Sequence, residues 1–418
     1  MTQYYSTARN IILFFFLMIL GQTSFAQKIR KVLFVVADGI PADVISKVKT
    51  PNLDGIAKIG GFAKSYVGGE RGGYSESPTI SAVGYNSLLT GTWANKHNVV
   101  DNHIAEPNYH YWTIFRYFKN QYPNKKTAVF STWQDNRTKL IGEGLPATGN
   151  IHIDHHFDGL ELDTLNYPHD NESQYIHQID EAVVNDAVEY IKKDAPDLSW
   201  VYLQYTDDMG HKYGDSENFY KAVEIMDAQM GKLWEAIQYR QKNHNEEWQI
   251  WITTDHGRDA VTGKDHGGQS ARERSTWIVT NASDLNDYFK SGKSGIVDIM
   301  PSIAQYLNII FPAEQRMEID GIPLTGKLYA TNFRARFSGG ELYLSWRALE
   351  TKGRVKIWVS TTNHFPKVGK DFYHQRATVF LKDEEATIDL STLPAIFYKV
   401  VIETPGEMHS SWIHVKKR

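Results

Sequence analysis

Apolar positions along this chain change texture near residue 330, from continuous runs and helical repeats to short alternating runs. Lys31-Val-Leu-Phe-Val-Val-Ala-Asp38 is an apolar run that ends in an acid and is followed by Gly39. That pattern predicts a parallel strand buried on both faces and entering a functional loop. Further strands are predicted at Ala128 to Thr132, Trp200 to Tyr205, Gln249 to Thr254 and Thr276 to Thr280. Thr50 and Pro51, a cap and a first-turn residue, open a helix. Helical patterns also cover Ser81 to Thr90, Ser173 to Lys193, Ser216 to Asn243 and Ile296 to Leu307. Strands alternating with helices predict an α/β fold, a mostly parallel sheet sandwiched by helices.

Beyond Asp320 to Lys327 the runs Glu341 to Trp346, Arg354 to Ser360, Thr378 to Leu381, Ala386 to Leu390 and Tyr398 to Glu403 alternate between polar turns. They predict a small all-β sandwich, immunoglobulin-like or fibronectin III-like. His103 to Asn171 is polar, aromatic and irregular, and is expected to form loops or a lid. There is no internal repeat.

The start of the chain carries Arg9, the apolar run Ile11 to Gly21, and Ser24-Phe25-Ala26 before Gln27. This is a signal-peptide pattern, and its apolar run is about half the roughly 20 residues that a spanning helix needs. The expected organisation is a signal peptide at 1–26, a body at 27–330 and a β module at 331–418. The mature chain is expected to be periplasmic or secreted, with no membrane span.

The 418 residues are 41% hydrophobic and 22% charged, a globular composition and not a disordered one. With no Cys there is no disulfide, no thiolate ligand and no thiol nucleophile, so any chemistry rests on oxygen and nitrogen. Net charge is −4, yet Thr331 to Arg418 holds 14 Lys and Arg against 9 Asp and Glu, which leaves everything before Thr331 at −9. An acidic body argues against a nucleic-acid groove.

Ligand sites in open parallel sheets collect at the carboxyl ends of strands. Asp38 ends the first predicted strand, Asp207 follows the third by two residues, and Asp255 and His256 follow the fourth directly. His211 lies four positions after Asp207, and His266 sits in Lys264-Asp-His-Gly-Gly268. Singly, such residues are ordinary turn formers or solvated loop residues. Three Asp and three His together supply two metal sites, suited best to Zn²⁺ and less to Mn²⁺ or Mg²⁺. Ser81 opens a predicted helix, where the helix dipole and a metal would favour an alkoxide and an incoming phosphate. The same position fits a plain N-cap.

The ordered set Asp38, Ser81 with Thr90-Gly91, Asn102, Asp207 with His211, Thr254-Asp-His-Gly257 and His266 resembles the alkaline phosphatase superfamily. It is most similar to the type I phosphodiesterase/nucleotide pyrophosphatase branch, over roughly Lys31 to Lys327. The resemblance implies an alkaline-phosphatase-like catalytic domain with one zinc on Asp207, His211 and His266. It implies a second zinc on Asp38, Asp255, His256 and Ser81, with Ser81 the covalent nucleophile and Asn102 binding a non-bridging phosphoryl oxygen. Two departures stand out. The branch usually carries Thr followed by Phe-Pro-Asn, whereas Ser81 is followed by Ala82-Val83-Gly84, and only ten positions separate His256 from His266, leaving no room for a lid. Sulfatases need Pro and Arg where Val83 and Tyr85 stand, so formylglycine chemistry is not expected.

Two zinc ions and three aspartates sum to about +1, and to about neutral once Ser81 ionises. A diester monoanion fits that site, whereas a monoester dianion would want a further cation, for which Arg137 is the nearest candidate. The expectation is an exported two-zinc hydrolase that cleaves small phosphodiesters or nucleotide pyrophosphates through a phosphoserine. Trp112, Trp133, His152, His155 and His156 are candidates for the leaving-group pocket. The alternatives are a phosphomonoesterase that uses Arg137, a phosphonate hydrolase, transfer to another alcohol, or a glycan-binding protein. The last would use Trp346, Trp358 and Trp412 beside an inactive body.

Overall fold

A computed structural model describes residues 27–415, so the signal-peptide reading of 1–26 lies outside the described residues. The body is built on one eight-stranded sheet. Its strands are β1 (Ile29–Ala37), β2 (Gly61–Tyr66), β3 (Thr127–Ser131), β4 (His155–Phe157), β5 (Leu198–Leu203), β6 (Glu246–Thr253), β7 (Ser275–Thr280) and β8 (Ser294–Gly295). The order across the sheet is β4-β3-β5-β1-β6-β7-β2-β8. Pairing is parallel except around β7, which runs antiparallel to both β6 and β2.

The apolar run of β1 explains why it sits centrally. Val32, Phe34 and Val36 enter one buried cluster, and Leu33, Val35 and Ala37 the other, so helices must cover both faces. Burying Phe34 alone contributes about 1.5–3 kcal/mol. The helices Gln174–Asp194 and Glu217–Asn243 cover the second cluster through Ile179, Val183, Phe219 and Leu233. Ser216 caps the latter by accepting from the Phe219 N–H.

Three of the differences from expectation have a visible reason. β5 stops at Leu203, and Tyr205 begins a helix, Tyr205–Tyr213. The buried Asp180 carboxylate accepts from the Gln204 and Tyr205 N–H groups at 3.1 and 2.9 Å, which turns the chain there. Residues 296–307 begin as a short 3-10 turn, because Asp298 accepts from the Gly295 N–H at 2.7 Å, and the helix Ile299–Tyr306 follows. The irregular stretch also contains a helix, Ile114–Gln121, which buries Ile114, Phe115 and Phe118 in the first cluster.

The C-terminal segment is an all-β sandwich of seven strands: β9 (Ala330–Ser338), β10 (Glu341–Ala348), β11 (Arg354–Ser360), β12 (His374–Phe380), β13 (Glu385–Asp389), β14 (Phe397–Glu403) and β15 (Met408–His414). They form sheets β13-β10-β9 and β12-β11-β14-β15. Trp346 belongs to the sandwich core, 4% exposed, with its Nε1 donating to the Leu381 carbonyl. Trp358 donates to Glu403, and Trp412 packs on Tyr74 of the body. The three tryptophans therefore make no common glycan platform, because packing uses each of them separately.

Buried ionic contacts tie the two parts together. The fully buried Lys399 ammonium lies 2.7 Å from Glu318 and 2.8 Å from Asp371, and Lys96 bonds both Asp320 and Ser410.

Candidate metal centre

The carboxyl edge of the sheet gathers all six predicted acids and histidines into two groups. Asp38, which follows β1, meets Asp255 and His256, which follow β6; Asp207, His211 and His266 form the second group. Within each, one ligand atom per residue lies within 4.8 Å of the others. Asp207 and His211 occupy the helix Tyr205–Tyr213 one turn apart, so their four-residue spacing is a helical turn and not a loop.

Backbone carbonyls set the imidazole protons. His256 Nδ1 lies 2.9 Å from the Gly257 carbonyl and His266 Nδ1 lies 3.0 Å from the Thr79 carbonyl. Each Nδ1 thus holds the proton, and each Nε2 presents a lone pair to the site. His256 Nε2 is 3.3 Å from Asp38 Oδ1 and 3.2 Å from Asp255 Oδ2. Both oxygens are buried without a hydrogen-bond partner. Lone pairs of two carboxylates and an imidazole facing one another are unfavourable unless a proton or a cation sits among them, and this donor set fits a divalent metal. In the second group His211 Nε2 is 3.1 Å from His266 Nε2 and 3.3 Å from Asp207 Oδ2.

Electrostatics agree. Burial, then the charges of Asp255 and Asp207, push the Asp38 carboxyl well above its usual range, and burial with Asp207 pushes Asp255 up to about 7. Burial holds the His256 imidazole neutral, well below its usual value. A set that disfavours its own negative charge is stabilised by a cation.

Each aspartate has one oxygen fixed by a donor and the other aimed at the site, and most of those donors went unseen in the sequence. Tyr202 donates to Asp38 Oδ2 at 2.7 Å, the Tyr85 hydroxyl reaches the same oxygen, and the Gly39 N–H donates to Asp255 Oδ1 at 3.1 Å. Arg258, fully buried, donates to Asp207 Oδ1. It also donates to the carbonyls of Gly39, Lys264 and Asp207 at 3.0, 2.7 and 2.7 Å. Burial alone would raise Asp207, but the Arg258 guanidinium together with the His211 and His256 imidazoles outweighs it and holds the carboxyl far below its usual range. Gly210 makes room for this: a Cβ there would stand 2.2 Å from Arg258 Cζ. Arg258 follows the Asp-His-Gly triplet directly, yet only folding reveals its target.

Ser81 begins the buried helix Ser81–Thr90 one position after the cap, which is Ile80, so its hydroxyl is not a capping group. Its Oγ lies 3.2 Å from His256 Nε2. Gly84 lets this helix approach, since a Cβ would meet the Asp255 carbonyl oxygen at 2.7 Å. Asn102, exposed, accepts the Ala82 N–H through Oδ1 at 3.0 Å.

Other candidates fall elsewhere. Arg137 is committed to Asp158 at 2.6 and 2.8 Å and to Glu143 at 2.7 Å, so it is not a free phosphate ligand. His155 pairs with Asp186 at 2.7 Å and stacks on Tyr190. His152 faces Glu143 at 3.2 Å, while the Arg116 guanidinium lies over Trp112. Of the proposed pocket residues, Trp133 stands nearest the centre by contact, edge-on to Tyr85. His156 has no contact that ties it to the centre.

Comparison with known proteins agrees with the fold. The solved structure of Ps i-CgsB in complex with k-i-k-neocarrahexaose shares it at TM-score 0.50 and 16% identity, over 77% of this chain and 82% of that one. The 2,3-bisphosphoglycerate-independent phosphoglycerate mutase of Mycoplasmopsis pulmonis (strain UAB CTIP) is 34% identical over 119 residues, 28% of this chain and 22% of the mutase. The venom phosphodiesterase of Naja atra is 25% identical over 232 residues, 54% of this chain. That match spans 26% of the venom enzyme's own length. The model of the type I phosphodiesterase / nucleotide pyrophosphatase family matches residues 32–299. That span runs from within β1 through β8 and takes in both ligand groups, and the chain belongs to this family.

Proposed function

We propose that the chain hydrolyses phosphoric diesters, among them nucleotide pyrophosphates, at a two-zinc centre through a covalent phosphoserine on Ser81. The observation that carries this reading is the Ser81 hydroxyl, placed at the first turn of a buried helix 3.2 Å from His256 Nε2. Asp38, Asp255 and His256 would hold one zinc beside Ser81, and Asp207, His211 and His266 the other. When bound, the two ions would favour the serine alkoxide and offset charge on the phosphoryl group.

The remaining steps belong to the chain and solvent. Ser81 gives its proton to solvent, and Oγ forms a bond to phosphorus as the bond to the leaving oxygen breaks. The leaving oxygen takes a proton from water. A second water then attacks phosphorus, releasing phosphate monoester and returning the serine. Since Asn102 Oδ1 is occupied by the Ala82 N–H, its amide nitrogen is left to donate to a non-bridging oxygen.

Arg258 alters the charge sum. Two zinc ions, three aspartates, the ionised serine and this guanidinium total about +1, which a diester monoanion neutralises and a monoester dianion exceeds. The engagement of Arg137 by Asp158 and Glu143 favours the diester for the same reason.

The module from residue 331 is read as immunoglobulin-like or fibronectin III-like. Its support is the split of seven strands into sheets of three and four, and the Tyr398 hydroxyl near the start of β14 donating to the Leu393 carbonyl at 2.7 Å. Export, to the periplasm or beyond, rests on the signal-peptide pattern before Gln27. Among the described residues no helix is long and apolar enough to cross a membrane.

The test is metal analysis of purified protein with rates on bis(p-nitrophenyl) phosphate, p-nitrophenyl phosphate and p-nitrophenyl sulfate. Two zinc ions and preference for the diester are expected, and monoester preference overturns the substrate reading. Ser81→Ala is expected to abolish turnover with zinc content intact; retained turnover removes the nucleophile assignment.

A further inference from the structure

Between the body and the β module lies a cleft of about 1180 Å³ that the hydrolytic chemistry does not use. One wall is the outer face of the sheet β13-β10-β9. In β9 the apolar Phe333, Ala335 and Phe337 turn toward the sandwich core, so Arg334 and Arg336, two positions apart, share the opposite face and are exposed. Tyr343 of β10 stands opposite Arg336 in register, and its ring lies 4.6 Å beneath that guanidinium. The facing wall is the body, with Arg71, Arg274 and Lys293.

Charge in this cleft runs against the rest of the molecule. Its lining has six Lys and Arg against four Asp and Glu on a chain of net charge −4. Two of those acids are already used. Asp320 pairs with Lys96, and Asp298 accepts from the Gly295 and Ile322 N–H groups. Among the described residues Arg71, Lys293, Arg334 and Arg336 form no ion pair, and the Arg274 guanidinium bonds only neutral groups, the Gly68 and Gly69 carbonyls and the Gln269 amide. Guanidinium groups held unpaired on two facing walls are suited to planar carboxylate or sulfate groups.

The rest of the lining is hydroxyl and aromatic: Ser345 and Thr387 on the module, and Tyr74, 40% exposed, on the body. Such hydroxyl groups complement sugar hydroxyls. The net negative charge of the body repels a long, uniformly charged strand, whereas a short chain with spaced anionic groups meets only the local cations.

We propose that this cleft binds an anionic oligosaccharide, with Arg334 and Arg336 of the module and Arg71 of the body as its charge contacts. The loop that carries Arg71 and Tyr74 runs on to Ser81, so an occupant of the cleft sits on the segment that delivers the nucleophile.

The test is calorimetric titration of the full, zinc-loaded chain with four probes. These are tetragalacturonate, its methyl ester, a sulfated tetrasaccharide, and a single-stranded oligonucleotide of equal charge. Saturable binding of either anionic sugar is expected, at least tenfold tighter than the neutral ester and the oligonucleotide. Which of the two sugars binds reports whether carboxylate or sulfate is read. The double variant Arg334→Ala/Arg336→Ala changes exposed side chains off the core and is expected to weaken binding at least tenfold. It should leave thermal unfolding and the rate on bis(p-nitrophenyl) phosphate unchanged. Equal binding of the neutral ester, preference for the oligonucleotide, no saturable binding, or unaltered affinity in the double variant each overturns the proposal. Binding is read apart from turnover, so its failure is distinct from failure of the hydrolase reading.

Discussion

Replacing Arg258 by Met removes a buried guanidinium but keeps much of its apolar bulk. Four hydrogen bonds go with it, to Asp207 Oδ1 and to the carbonyls of Asp207, Gly39 and Lys264. Breaking one side of a buried ion pair costs about 3–5 kcal/mol, since the partner charge stays buried and unpaired. For a body of this size, at roughly 2 °C per kcal/mol, the melting temperature of the metal-free protein should fall by about 6–10 °C. The effect on metal is separable. Arg258 fixes the oxygen of Asp207 that faces away from the second ligand group, and loss of such a support lowers metal affinity by about 10–100-fold. The group built on Asp38, Asp255 and His256 keeps its Tyr85, Tyr202 and Gly39 donors and should bind as before. Competition with a chromogenic zinc chelator resolves the two affinities. One weakened site beside one unchanged site is the expected result, with Arg258→Lys intermediate because charge is kept and the fork is lost. A positive charge near a bound cation also repels it. If repulsion dominated, the variant would bind zinc more tightly, and tighter or unchanged binding at both sites would refute the positioning argument.

Chelation of zinc should lower the melting temperature and readdition restore it, since a ligand at 1,000 times its Kd stabilises by about 4 kcal/mol; an unmoved transition would remove the metal reading. Lys399→Met leaves Glu318 and Asp371 buried and unpaired, and should cost about 3–5 kcal/mol in denaturant unfolding; a loss below about 1 kcal/mol would show that the ionic contact does not hold the module to the body. Burial pushes the Asp298 carboxyl up to about 7. Its folded value lies above the unfolded one, near 3.9, so the folded state binds the extra proton and stability falls as pH rises from about 4 to 7. Unfolding at pH 5 and pH 8 should show that decline in the parent and a flatter slope in Asp298→Asn; equal slopes would contradict it.

The residues proposed to carry chemistry were readable as candidates because their type and position are local properties. Asp38, Asp255 and His256 follow apolar runs, and the ends of parallel strands must come out on one edge of the sheet whatever the rest of the chain does. The Asp207 to His211 spacing was readable as a pair although its cause was not. Asp180, far away in sequence, ends β5 and starts the helix that makes four residues one turn. Boundaries slipped where a side chain accepted a backbone N–H, from far along the chain at Asp180 and locally, from Gly295, at Asp298. The strands β2, β4, β8, β9 and β15 escaped notice; all but β2 lie at sheet edges, and β4 and β8 are only three and two residues long.

Composition and pattern alone thus determined the α/β body, the β module, and a ligand set of Asp and His in a chain without Cys. Folding alone decided that Arg258 lies against Asp207, that Tyr85 and Tyr202 share one oxygen of Asp38, that Arg137 is spent on Asp158, and that a cationic cleft opens between the two parts. The physical reason is range. Periodicity and strand-end chemistry act over a few residues, whereas a buried charge finds its partner through three-dimensional packing, across 51 positions for Arg258 and Asp207 and 81 for Lys399 and Glu318.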